Sequence, residues 1–250
     1  MDSINDKQQS RVNVIALYER NYWLLLFDSI ELFTRALELQ EESKRRGSWI
    51  EDRYLVHTLA RSSLLASIMM LETAANTCIQ SLKLETSLFE DIERLPFLSK
   101  LDLFARIRFR GRKLDRGRTE VQQAQELKRL RDEYVHPKLH KVFLEISGKK
   151  RVRRTSSGRT PILGIAKNPS SWGIEDAVRG MAAVHKFLAY FFSDVCKYRP
   201  IQVTRLLLSE ERRPSPEGEE TGMPAFPHSA REMLQRRGVD FSYVKLFWYR

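Results

Sequence analysis

The chain has 250 residues, 42% of them hydrophobic and 30% charged, with a formal net charge of +11. That is ample apolar material for a real core, and two cysteines, Cys78 and Cys196, exclude a disulfide framework. Both cysteines sit in apolar helical surroundings, so a reducing, cytoplasmic location is expected. The opening Met1-Asp2-Ser3-Ile4-Asn5-Asp6 carries acid and no apolar core, which speaks against a secretory signal. No apolar run is expected to reach the ~20 residues of a membrane span.

Helical spacing dominates the first half. From Arg11 to Lys44, apolar residues such as Val14, Leu17, Leu24, Phe27, Ile30 and Leu37 recur at threes and fours, and Arg45-Arg46-Gly47 closes that helix. Ser48-Trp49-Ile50-Glu51 fits a capping box for a second helix running to about Leu82 along Leu64, Ile68, Leu71, Ala75 and Cys78. Two long antiparallel helices are the expected base of a bundle. An acidic connection broken at Leu95-Pro96-Phe97 leads to a shorter helix over Leu98–Ile107, then to a loop around Gly111 and Gly117.

Thr119-Glu120-Val121-Gln122 offers a second capping box, followed by a helix with Val121, Ala124, Leu127, Leu130 and Tyr134 on one stripe and Pro137 as its stop. Tyr134 is read as core. A small basic β-hairpin insertion is expected at about 141–166, its strands at 141–146 and near Pro161–Ile165. Ser170 and Ser171 precede a last long helix, Glu175 to Lys197. The predicted fold is all-α: an up-and-down helical bundle over residues 1–200 carrying that hairpin. Residues 201–229, rich in Pro, Gly and Glu, read as a flexible linker, and 230–250 as an aromatic-rich tail that folds back on its domain or docks a protein partner.

Charge is distributed unevenly. Residues 1–100 hold 12 Lys/Arg against 15 Asp/Glu, whereas residues 101–250 hold 31 against 17. One cluster comprises Arg106, Arg108, Arg110, Arg112, Lys113, Arg116 and Arg118; another comprises Lys149, Lys150, Arg151, Arg153, Arg154 and Arg159. Positive potential on both sides of the helix ending at Pro137 would concentrate a polyanion there, so RNA contact is expected through Arg108, Arg110, Arg112, Lys113, Lys149, Lys150, Arg151, Arg153 and Arg154.

Between the clusters lies Arg131-Asp132-Glu133-Tyr134-Val135-His136-Pro137-Lys138. A guanidinium stays charged and grips phosphate through two hydrogen bonds, and an imidazole exchanges its proton near neutral pH. On a straight helix the two side chains would stand roughly 140° apart. Proline at 137 disfavours the α conformation at His136, which frees the imidazole to swing towards Arg131. Upstream, Glu72 and Asn76 lie one turn apart on the second helix, where a carboxylate can steer an arginine or lock neighbouring helices.

An arginine followed directly by a polar residue and, five positions on, by a histidine at a helix end resembles the motif of the HEPN superfamily; the helices carrying Met69–Asn76 and Glu175–Lys197 fall where such a bundle needs them. The resemblance covers roughly residues 10–197. It implies a helical bundle acting as a homodimeric, metal-independent endoribonuclease, with Arg131, Asp132 and His136 catalytic and no cofactor; Glu72, Asn76 and Lys138 are expected, from their own positions, to support the site. One toxin subgroup places a modifiable tyrosine two residues after the histidine, where this chain has Lys138. Two other readings stand beside the nuclease: a non-catalytic RNA-binding or scaffold protein, and a helical partner subunit of a defence or toxin–antitoxin complex. His136 and His140 have the spacing of a helical metal pair, but Pro137 interrupts the helix and no third ligand is evident.

Overall fold

The computed structural model describes residues 21–136, 143–146, 152–155, 158–208, 212–215, 218–221 and 225–249. They form an all-α bundle with small β elements. Helix α1 (Tyr22–Arg46) ends where Gly47 takes a left-handed φ of 74° and its N–H bonds back to Ser43, a conformation that costs glycine little. Helix α2 (Trp49–Gln80) returns antiparallel and is the spine of the molecule, packed on α1, α4 (Phe97–Arg108) and α6 (Ile174–Ala189). Leu64, Ile68, Met70, Leu71, Ala74, Ala75 and Cys78 are buried along it.

By length and composition Ile50–Gln80 is apolar enough to cross a membrane, contrary to the sequence expectation, and half of its most apolar window is buried inside the bundle. That composition is what a helix surrounded by partners requires. Helix α6 approaches α2 so closely at Gly180 that a Cβ there would overlap Leu64 Cδ1.

Several local expectations are corrected. Ser48 precedes α2 but does not cap it; Asp52 instead gathers hydrogen bonds from Ser43 (2.6 Å), Ser48 (2.8 Å) and Arg46 (3.0 Å). These donors hold the Asp52 carboxyl below its usual range. Thr119 lies inside helix α5 (Thr119–Val135), so the second capping box is not made either. The acidic connection contains a helix, α3 (Thr86–Glu93), whose Ile92 is buried.

The hairpin pairs β1 (Phe143–Ile146) with β2 (Val152–Thr155), not with 161–165. The latter segment is a turn closed by an Arg159–Ala166 bridge and by Glu126, a buried carboxylate of α5 that accepts the N–H groups of Ile162 (3.2 Å) and Leu163 (2.8 Å). Helix α6 passes into a π-turn at Tyr190–Val195, with Cys196 N–H bonded to Phe191 O at 2.9 Å. Both cysteines are buried in this region, and burial pushes the Cys196 thiol up to about 12.

The linker expected over 201–229 is largely built. Helix α7 (Pro200–Leu207) starts with proline, where no intrahelical N–H is needed, and buries Val203 and Leu207. A hairpin of β3 (Arg212–Ser215) and β4 (Gly218–Thr221) follows, then β5 (Ala225–Pro227) and α8 (His228–Arg236). Strand β6 (Phe247–Tyr249) pairs with β5 in parallel. The aromatic tail folds back on the bundle. Trp248 packs on Phe226, which meets Phe27 of α1, while Phe241 and Tyr243 are buried against His185 of α6.

Candidate functional site

The candidate site lies on the seam where α5 crosses α2. Buried Val121, Ala124, Leu127 and Leu130 fix one face of α5 in the core, which turns Lys128, Arg131 and Asp132 towards a half-buried edge. Arg131 Nη2 donates to Glu72 Oε1 of α2 at 2.6 Å, and its Nε lies 3.3 Å from Asp132 Oδ1. Asp132 also receives Lys128 Nζ. Arg131 and Glu72 each keep 27% of their side-chain surface exposed, so the guanidinium is held at one edge and still meets solvent.

One turn further along α2, Asn76 accepts a hydrogen bond from Lys100 of α4 at 2.7 Å. Lys100 is buried, and the sequence reading did not single it out. Glu72 and Asn76 therefore do different jobs. The carboxylate steers Arg131, and the amide fastens α4 to α2. A lysine inside an otherwise apolar helix, Phe97-Leu98-Ser99-Lys100-Leu101, was the available signal for the latter.

His136 stands where the helix stops. Its N–H still bonds Asp132 O at 2.9 Å, yet its φ of −115° and ψ of 71° have left the helical path, as proline at the next position demands. The imidazole is exposed and makes no hydrogen bond or ion pair with another described residue. Two residues before it, Tyr134 is 39% exposed rather than core, its ring stacked at 5.8 Å and 23° on buried Trp172. Trp172 is itself pinned, its indole N–H donating to Ala166 O at 2.6 Å and its carbonyl accepting from His57 Nδ1 at 2.8 Å. Tyr134 and Trp172 thus form an anchored aromatic pair at the C-terminal end of α5.

The first basic cluster divides on inspection. Arg112 donates to the carbonyls of Val195 and Cys196, both at 3.1 Å, and closes the π-turn. Arg108 bonds the Tyr198 hydroxyl, whose pKa is raised by burial. Arg106 pairs with Asp102 and Arg118 with Glu120. Arg110, Lys113 and Arg116 remain exposed without an ion pair among the described residues. Lys138, Lys149, Lys150 and Arg151 lie outside the described residues, as do His140 and Pro137; Arg153 and Arg154 are described only as backbone of β2. Among the described residues no three His, Cys, Asp or Glu side chains gather as a metal site.

Comparison with protein-family models, with curated proteins and with solved structures finds no match to this chain.

Proposed function

We propose that the chain is a metal-independent endoribonuclease of the HEPN type, working as a two-fold dimer in which two Arg131–His136 pairs meet around one phosphodiester. The observation that carries this reading is the contrast within one motif: a guanidinium held by Glu72 at 2.6 Å and an exposed imidazole at a broken helix end five residues on. In the proposed reaction one His136 takes the proton of the ribose 2′-hydroxyl and the 2′-oxygen attacks phosphorus. The bond from phosphorus to the 5′-oxygen then breaks, and the other His136 protonates that oxygen. The products are a 2′,3′-cyclic phosphate end and a 5′-hydroxyl end. Arg131 stabilises the extra negative charge on the equatorial oxygens, and the exposed Tyr134 ring, backed by buried Trp172, offers a face for a base. A role within a defence or toxin system fits the same chemistry.

The test is cleavage of end-labelled RNA by the purified chain in excess chelator. Wild type should yield cyclic-phosphate ends, and His136→Ala should lose roughly 10²–10⁴-fold in rate while RNA binding persists. Equal turnover by the mutant would refute the role. A second reading is favoured by the two carboxylates already facing Arg131, Glu72 and Asp132: a non-catalytic RNA-binding scaffold with the same basic surface. It predicts that wild type binds RNA and leaves it intact.

A further inference from the structure

Helix α6 turns Arg179 and Lys186 outward, with Ala182 half-buried and Ala183 buried between them. Arg179, Ala182, Ala183 and Lys186 follow one another at helical spacing and line a cleft of about 330 Å³. One wall is the 161–163 turn, clamped by Glu126 and exposing Ile162; the other is the Arg237–Gly238 turn behind α8. The floor is aliphatic, made by half-buried Ala182 over buried Val178 and Ala183, and the alanines put little side-chain bulk between Arg179 and Lys186. Neither Arg179 nor Lys186 has a carboxylate within ion-pair distance among the described residues, Arg179 donating only to Gly164 O at 3.1 Å. Arg237 lies 4.0 Å from Glu175, the acid at this edge.

Arg179 and Lys186 stand two turns apart on one face, about 10 Å along the axis. That separation exceeds the reach of a single small anion. It matches acidic residues two turns apart on a second helix whose apolar residues between them would rest on Ala182 and Ala183. The cleft lining contains no aromatic ring on which a nucleobase could stack. We infer that this cleft docks an acidic amphipathic helix of a partner protein, with Arg179 and Lys186 pairing its carboxylates and the alanine floor receiving its aliphatic side chains.

The probe is a fluorescein-labelled synthetic helix with glutamates two turns apart and leucines between, titrated into the full chain at low salt and followed by anisotropy. The expected result is saturable binding, weakened roughly tenfold or more in Arg179→Glu/Lys186→Glu and also in Lys186→Glu alone. A matched peptide with lysines in place of the glutamates should not bind. The Lys186 side chain is exposed and makes no hydrogen bond with another described residue, so its single variant should fold, checked by an unchanged thermal melt. Absence of binding by wild type, or equal binding by the variants, would overturn the inference. So would variants that lose affinity for a short single-stranded RNA while keeping the peptide, since the cleft would then serve nucleic acid.

Discussion

Two polar clusters in this fold have opposite fates. On the α2–α5 seam, Glu72, Arg131, Asp132 and Lys128 form a charged, half-exposed network ending at an exposed imidazole. Under the C-terminal segment, Tyr22, Tyr243 and His185 form a fully buried chain, with the two hydroxyls 2.8 Å apart and His185 Nδ1 2.9 Å from the Tyr243 oxygen. Here burial pushes the histidine down to about 3 and lifts both tyrosines far above their ordinary value. His185 Nε2 has no hydrogen-bond partner among the described residues. Buried His185 links α1 and α6 through the two tyrosines, whereas His136, at a solvent-facing helix end, meets water. The difference is in exposure, not in residue type.

The sharpest way to break this contrast is to exchange alanine for each histidine. His136→Ala should cut RNA cleavage by roughly 10²–10⁴-fold and leave the melting temperature unchanged, and His185→Ala should unfold the protein more readily; a reversal of the two would end the comparison. Acid supplies the next test. Because His185 falls from 6.5 in the unfolded chain to about 3 in the fold, its contribution is complete above pH 6.5. It is lost as the pH drops towards 3, by an amount on the order of 5 kcal/mol. Urea titrations across that range should therefore show a steeper acid loss in wild type than in His185→Leu.

Tyr243→Phe should cost about 1–3 kcal/mol, since it leaves the Tyr22 hydroxyl and His185 Nδ1 buried without their partner. The change should be visible as a lower urea midpoint with unchanged slope. The smallest effect is expected at the seam. Glu72→Gln keeps the shape and removes the charge that orients Arg131, so cleavage should fall by roughly tenfold, about 1.4 kcal/mol, with thermal stability nearly intact. Full activity in that variant would reduce Glu72 to a surface pair.

The long helices were legible because α1 and α2 bury side chains at a regular period, and the end of α5 was legible because Pro137 is a local signal. The Glu72–Arg131 pair was legible only as one of two options, since 59 residues separate its members. What escaped was short or distant. Helices α3, α7 and α8 have two turns or so each and bury only a few residues, Ile92 in the first, Val203, Thr204 and Leu207 in the second, Ala230 and Leu234 in the third. Asp52 was passed over for Glu51 because the capping rule looks at fixed spacing, while the fold brought Ser43 and Arg46 from the preceding helix. Tyr134 fell on the core stripe by periodicity, yet the stripe runs past the last neighbour that could cover it and the ring meets Trp172 instead.

The bond between Tyr22 and Tyr243 spans 221 positions of the chain. The core around Tyr22 and His185 therefore stays unsealed until residues 241–248 have joined the fold, when Phe241 and Tyr243 cover it and Trp248 packs on Phe241 and Phe226. A chain that had lost residues 241–248 would leave that apolar interior facing water.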